Sequence, residues 1–337
     1  MSNDEATTIE GAAEACIEQA REHGVELLLP RVVPLGGPRA IPVSRVLPNK
    51  HRHFIGAWCF ADAFGPADRE TYGAMDVPPH PHTGLQTVSY LVEGGVEHRD
   101  STGQKHTVRP GGVNVMTAGR GISHSEYQAA DADVLHGVQL WTVLPSGERG
   151  REPSFSGVDA VPAFELAAGV EAQVFAGSYL GHTADAPYFS PLVGVGLRIR
   201  AGEVVTLPLE RGFEHGVLAL NDGVFVLGDD DARVPVLNGG MAYFAPGTEQ
   251  AVVVAETDAV IVLIGGEPFE EEVVMFWNFI GESHDEVLEF RERWMRERAE
   301  EEAREQFGTV VDDEAQPLAA PRLPAVELLP RGRARRR

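Results

Sequence analysis

The sequence lacks the features of disulfide-rich, nucleic-acid-binding and membrane-spanning proteins. It has only two cysteines, Cys16 and Cys59, which are too few for a disulfide framework and form no metal-binding spacing. Lys and Arg number 28 against 51 Asp and Glu, and a net charge of −23 would repel the phosphates of a nucleic acid. No apolar run approaches the length that a bilayer span requires. We therefore expect no membrane insertion and no direct nucleic-acid binding.

The beginning of the chain also lacks the pattern of a secretory signal. Residues 1–16 read MSNDEATTIEGAAEAC, which is acidic and has no basic region followed by an apolar core. Together with the low cysteine count, this predicts a soluble protein in the reducing environment of the cytoplasm.

Glycine and proline are abundant, with 37 and 23 of the 337 residues. Together with short apolar runs, this composition favours an all-β fold with many turns. The length suggests two domains. The run VLHGVQLWTVLP at 134–145 alternates as a strand does, and the polar, aperiodic PSGERGREPSFSG that follows predicts a linker.

Two pairs of metal-binding side chains frame the stretch from 79 to 127. His80 and His82 open it, and His124 and Glu126 close it, each pair with i, i+2 spacing. Residues two apart in a β-strand point to the same face. If neighbouring strands carry the two pairs, three imidazoles and one carboxylate surround one point. Such a ligand set suits a transition metal and leaves coordination positions open for other molecules.

The motifs of this stretch also resemble those of a known family. The succession of H-x-H, Gly-Gly, Pro-Gly-Gly and H-x-E resembles the pirin family of the cupin superfamily. The segments IGAWCFADAFGP (55–66) and GGEPFEEEVVMFWNFIGES (265–283) agree with it, and the resemblance covers roughly residues 35–300. It implies two cupin-type β-barrels, a bicupin. It also implies a metal held by His80, His82, His124 and Glu126.

The resemblance carries expectations about activity. It implies quercetin 2,3-dioxygenase activity, a metal-dependent ring cleavage of a flavonol or similar enol by dioxygen. We expect one divalent transition metal, with Fe(II) as the first candidate, and Glu126 as the catalytic base. The alternative is a metal- or redox-sensing regulator without enzymatic activity that binds a transcription factor or a metabolic enzyme. A metal-stabilised scaffold without activity is a third reading.

The remaining sequence predicts how the chain is divided. Ser283 with Glu286 three residues later forms a capping box, and Val287, Phe290 and Trp294 follow at helical spacing. The Pro-, Ala- and Arg-rich end lacks periodicity and predicts disorder. The predicted organisation is an N-terminal extension, partly helical (1–29), a metal-binding cupin domain (30–147), a linker (148–160), a cupin-like domain with a degenerate site (161–281), a C-terminal helix (282–307) and a disordered tail (308–337).

Other polar residues have less specific patterns. Many cupins have a metal-binding glutamate at about the position of Gln86, so the resemblance implies that Gln86 hydrogen-bonds a metal ligand instead. His51 and His53 form a further H-x-H, but no partner ligands stand at matching spacing, so we expect a solvated pair or a pair in the loop that enters the domain. The second half has only His215 in the corresponding region, which is too little for a site of this class. Single histidines expected to have structural or surface roles are His98, His106 and His136.

Overall fold

The computed structural model describes residues 15–34, 41–300 and 305–332. Two pairs of facing β-sheets form the body, and a short hairpin and a helix follow them. The predicted all-β fold with two cupin domains and a C-terminal helix is confirmed. Each pair of sheets is a sandwich with open edges rather than a closed barrel. None of the helices in these ranges is long and apolar enough to cross a bilayer.

The elements are numbered in chain order. The helices are α1 (15–22), α2 (Arg69–Tyr72), α3 (Ser146–Arg149) and α4 (His284–Ala299). The strands are β1 (Glu26–Leu28), β2 (Arg31–Pro34), β3 (Pro42–Leu47), β4 (Trp58–Asp68), β5 (Asp76–His82), β6 (Leu85–Glu93), β7 (Val96–Asp100), β8 (Lys105–Val108), β9 (Val113–Thr117), β10 (Ile122–Gln128), β11 (Val134–Val143), β12 (Ser154–Val158), β13 (Ala163–Ala167), β14 (Val170–Tyr179), β15 (His182–Thr183), β16 (Leu192–Ile199), β17 (Val204–Pro208), β18 (Glu214–Ala219), β19 (Val224–Leu227), β20 (Arg233–Val236), β21 (Met241–Phe244), β22 (Gln250–Ala255), β23 (Ala259–Gly266), β24 (Val274–Phe276) and β25 (Phe279–Gly281).

The first domain pairs a large sheet with a small one. The large sheet has the order β12-β9-β6-β11-β4-β3-β2, and the small sheet has the order β5-β10-β7-β8. Apolar side chains of both sheets meet in one cluster, for example Leu91 and Phe64 of the large sheet with Val96 of the small sheet. The metal-binding motifs lie on β5 and β10, which are neighbours in the small sheet.

The second domain repeats this arrangement. Its large sheet has the order β1-β21-β18-β23-β16-β14-β13, and its small sheet has the order β17-β22-β19-β20. Strand β17 shows the alternation that a half-buried strand requires, with Val205 and Leu207 buried between exposed neighbours. The strand β1 of the N-terminal extension pairs with β21, so this extension joins the second domain rather than the first.

The two domains pack through their large sheets. Val88 and Tyr90 of β6 and Leu140 of β11 belong to one buried cluster with Phe175 and Val262 of the second domain. Because side chains alternate along a strand, Ser89 of β6 and Gln139 of β11 point the other way, into the first sandwich. The second domain thus covers one face of the large sheet and leaves the opposite face to the metal-binding motifs.

Two segments that the sequence predicts to be irregular or disordered are ordered in the structure. The predicted linker contains β12, which pairs with β9 as an edge strand of the first domain. The predicted disordered tail is ordered as far as 332: Phe307 is fully buried, and the backbone N–H of Leu318 donates to Pro79 O at 2.8 Å. The segment is held by single backbone hydrogen bonds and by buried side chains that contact distant parts of the chain, so its composition alone did not reveal it. Residues 333–337 lie outside the described chain.

The C-terminal helix begins where its cap predicts. The Oγ of Ser283 accepts a hydrogen bond from the N–H of Glu286 at 3.2 Å. The helix ends at Ala299, earlier than the predicted 307, and Trp294 packs edge-on against Phe307 from the following segment. The N-terminal extension, predicted to be partly helical over 1–29, has a helix over 15–22, and residues 1–14 lie outside the described residues.

A Phe307→Ala substitution tests whether the C-terminal segment belongs to the folded unit. The side chain is buried with Phe279 and Trp294, so its truncation should lower the free energy of unfolding by about 3–5 kcal/mol. Thermal or urea denaturation measures this change. Val326→Ala is the control, because Val326 lies in the same segment with 68% of its surface exposed. Equal stabilities of the two variants would contradict a packed segment.

Candidate metal centre

Strands β5 and β10 bring the three predicted histidines together. His124 of β10 stands directly opposite His80 of β5, and His82 is two residues farther along the same face. The ring centroids of His80 and His124 are 4.3 Å apart, and those of His82 and His124 are 4.9 Å apart. One nitrogen from each ring lies within 4.8 Å of the other two, a spacing that can hold a metal ion.

Burial keeps these imidazoles neutral. The exposed fractions of His80, His82 and His124 are 6%, 1% and 0%. Desolvation of the charged form lowers the pKa of His80 to about 4. It also lowers the pKa of His82 and of His124, with a contribution from the neighbouring histidines. Neutral imidazoles offer lone pairs to a metal at neutral pH without first losing a proton.

The hydrogen bonds of the rings leave one nitrogen of each for a ligand. The Nδ1 of His80 is 2.9 Å from Pro78 O, the backbone of Asn278 bonds His82, and the Nδ1 of His124 is 3.3 Å from a nitrogen of His98. The Nδ1 of His82 and the Nε2 of His124 are buried and have no hydrogen-bond partner in the described part of the chain. Buried polar atoms are rarely left unpaired, so the three rings fit a bound metal ion.

Glu126 lies beside this group but outside it. A register shift between His124 and Glu126 interrupts the pairing of β10 with β5, so Glu126 stands opposite Val77 rather than continuing the histidine register. Among the described residues, the group of ligand atoms contains the histidines and not this carboxylate. Its role as fourth ligand stays a prediction.

Residues of the large sheet of the first domain hydrogen-bond the Glu126 carboxylate. The Oγ of Ser89 is 3.3 Å from Oε1 of Glu126, and the side chain of Gln139 also hydrogen-bonds it. Burial raises the pKa of Glu126, an effect that these hydrogen bonds and the nearby His98 oppose. A buried carboxyl with a raised pKa is a stronger base than an exposed one.

An aromatic wall borders the histidines. The Trp141 ring meets His82 edge-on at 5.1 Å between centroids, and Phe60 stacks on Trp141 at 4.0 Å. The guanidinium of Arg45 lies 4.4 Å from the Phe60 centroid and makes two 2.7 Å hydrogen bonds to buried Asp62. The candidate metal site is therefore bordered by a packed aromatic pair, with a partly buried guanidinium on the far side of Phe60.

Several other predicted residues have different surroundings. The Gln86 side chain bonds Thr117, Thr142 and the carbonyl of Pro187, so the prediction that it supports a metal ligand is wrong. It lies on the same face of β6 as Val88, which packs against the second domain. His215 is buried in the second domain, and no group of three ligands forms around it in the described residues.

Three other histidines form hydrogen bonds with groups outside the candidate metal site. His106 bonds Asn114 and Asp159, His136 bonds Leu220 O, and His53 bonds Gly332 O. His98 differs from these, because it touches His124, and the sequence prediction missed this contact. The signal was present in the H-x-D spacing of His98 and Asp100 on β7, which places both on the face that looks toward the histidines.

The two sandwiches and the histidine group define a metal-binding protein with two cupin domains. Family comparison gives the same answer for each domain: residues 40–142 match the model described as "Pirin", and 194–300 match "Pirin C-terminal cupin domain". The chain belongs to the pirin family.

Individual relatives agree. A Pseudomonas aeruginosa protein named as a candidate quercetin 2,3-dioxygenase is 36% identical over 324 residues, which cover 96% of this chain and 98% of that protein. Human pirin is 32% identical over 64% of this chain and 76% of its own length. The crystal structure of an Acinetobacter baumannii quercetin 2,3-dioxygenase is 34% identical, covers 90% of this chain and 96% of its own, and superposes with a TM-score of 0.82.

Proposed function

We propose that this pirin-like protein is a metal-dependent oxygenase of the quercetin 2,3-dioxygenase type. In this proposal His80, His82 and His124 hold one divalent metal, Fe(II), and Glu126 is the base and approaches the metal as a fourth ligand. The observation that carries the proposal is the set of buried, neutral imidazoles with unpartnered nitrogens next to a buried carboxylate. The two free thiols, Cys16 and Cys59, agree with a reducing, cytoplasmic setting.

Residues of the site would have separate roles in the cleavage of a flavonol. When bound, the metal supplies Lewis acidity and redox chemistry toward dioxygen. Glu126 would accept the proton of the substrate hydroxyl, and its raised pKa suits this task. Ser89 and Gln139 would hold its carboxylate in place through their hydrogen bonds.

The aromatic wall suits a planar aromatic substrate. Trp141 and Phe60 lie parallel within 11°, and an offset-stacked ring could continue this arrangement beside His82. The desolvated interior would also strengthen the interaction of a deprotonated substrate with the metal and with nearby donors. These features favour an electron-rich, flat enol over an aliphatic one.

A direct assay tests the proposal. Protein purified without chelator is analysed for metal, mixed with quercetin without oxygen, and then exposed to air. We expect a stoichiometric transition metal, and loss of the flavonol absorption with release of carbon monoxide only after air is admitted. Chelated protein is the control. Bound metal without turnover of quercetin would overturn the assigned activity.

The burial of the site favours a second candidate function. The three histidines are at most 6% exposed, so a substrate as large as a flavonol needs a path that these side chains do not themselves open. In the alternative, the metal acts as a redox sensor and the protein binds a transcription factor or a metabolic enzyme. A metal-dependent change in binding to such a partner, with no turnover of any enol, would favour this function.

A further inference from the structure

Both carboxylate oxygens of Asp100, at the end of β7, have hydrogen-bond partners. Its Oδ1 accepts from the backbone N–H of Thr102 at 2.8 Å, from the Thr102 hydroxyl at 2.7 Å and from the N–H of Gln104 at 3.2 Å. Its Oδ2 is 2.9 Å from Nε2 of His98. The side chain is fully buried. Among the described residues, Oδ1 has three donors as hydrogen-bond partners, and Oδ2 is paired with His98.

His98 joins this carboxylate to a candidate metal ligand. Its Nδ1 is 3.3 Å from Nδ1 of His124, across the pair of strands β7 and β10. Its ring is 3% exposed and stacks on Phe155 at 4.3 Å with an interplanar angle of 13°. Phe155 therefore packs on one face of the His98 ring, and Asp100 and His124 contact its two nitrogens.

With both rings neutral, these contacts allow one placement of the proton on each ring. A carboxylate can only accept, so His98 must donate from Nε2, and its Nδ1 then carries a lone pair. His124 must therefore donate from its own Nδ1, which leaves the lone pair on Nε2. That Nε2 is buried and has no hydrogen-bond partner in the described part of the chain.

We propose that Asp100 and His98 are positioning residues that fix the tautomer and ring orientation of His124, so that His124 presents its Nε2 lone pair to the metal. The proposal rests on the proposed function only in taking His124 as a ligand. Polar groups behind metal-bound histidines contribute about 10–100-fold to metal affinity in general. Here the effect acts across two hydrogen bonds.

The isosteric substitution Asp100→Asn should move the proton to the other ring nitrogen in both His98 and His124. The amide oxygen is required at the Oδ1 position, where three donors converge, so the NH₂ group must face His98. His98 would then accept at Nε2 and carry its proton on Nδ1. Facing that donor, His124 would need its lone pair on Nδ1 and its proton on Nε2, where it blocks the metal.

Two readouts test the inference. In the metal-free protein with ¹⁵N-labelled histidine, NMR should find His124 protonated at Nδ1 in the parent and at Nε2 in Asp100→Asn. In anaerobic titrations with Fe(II), and with Co(II) as a coloured probe, the variant should bind about 10–100-fold more weakly. The melting temperature of the metal-free protein confirms that the variant is folded.

A matched pair of histidine variants separates positioning from packing. His98 and His106 are cross-strand neighbours, and both rings contact Phe155. His98→Phe keeps a flat ring against Phe155 but removes the acceptor for His124, so it should lose metal affinity. His106→Phe should leave the affinity unchanged.

Either of two results would overturn the inference. One is an unchanged His124 tautomer in Asp100→Asn, and the other is Fe(II) and Co(II) affinities of His98→Phe within about twofold of the parent. The NMR measurement needs neither metal nor turnover, so its failure is distinct from failure of the proposed dioxygenase activity.

Discussion

Replacing His80 by alanine is expected to abolish stoichiometric metal binding while the protein stays folded. The ring is one of the three that form the ligand group, and its removal leaves two imidazoles, too few for a tight site of this kind. The loss should exceed the roughly 10–100-fold cost of losing a group behind a ligand. Metal analysis after dialysis and anaerobic Fe(II) titration measure it.

The control for this variant is His136→Ala. His136 is also a buried histidine of the first domain, but it bonds Leu220 O and is not part of the ligand group. Metal that binds the folded state stabilises it by about 2.7 kcal/mol at one hundred times its dissociation constant. Added metal should therefore raise the melting temperature of His136→Ala but not of His80→Ala. Full metal occupancy in His80→Ala would remove His80 from the ligand set.

The histidine group could be predicted from the sequence because two simple rules coincide. Strand alternation places His80 and His82 on one face, and antiparallel pairing of β5 with β10 sets His124 opposite His80. Neither rule fixes Glu126. A register shift after His124 decides where its carboxylate stands, and a bulge of this kind has no signal in the local sequence SHSEY.

Strand alternation shows which residues of β6 share a face, but it does not show what that face contacts. Gln86 has the same parity as Val88 and Tyr90, whose apolar side chains form the domain interface, and Ser89 has the opposite one. The sequence cannot tell which face of β6 meets the second domain until that domain is placed. This is why Gln86, and not Gln139, was expected near the metal ligands.

The C-terminal segment shows a different limit of sequence prediction. Its proline, alanine and arginine content is typical of disorder, yet Phe307 and Ala320 are buried. Their partners are Trp294 of α4 and Phe279 of β25, which are distant in sequence. A segment whose stability comes entirely from long-range contacts carries little local pattern.

A Glu126→Gln variant is expected to keep most of its metal and lose its turnover. The substitution preserves size and leaves the histidine group intact, so Fe(II) occupancy should stay close to the parent's. It removes the group that would accept the substrate proton, and general base catalysis contributes about 10²–10⁴-fold. Quercetin consumption per bound metal should fall by this amount. Parallel metal analysis separates the two effects.

Ser89→Ala is the matched control, because it removes a hydrogen bond to the same carboxylate but keeps the base. Its turnover should fall far less than that of Glu126→Gln. Retained turnover in Glu126→Gln would exclude Glu126 as the base. A loss of metal in parallel with turnover would instead identify the carboxylate as a ligand, which requires it to move from its partners Ser89 and Gln139 toward the histidines when metal binds. The variant therefore tests the two proposed roles of Glu126, base and fourth ligand, by separate measurements.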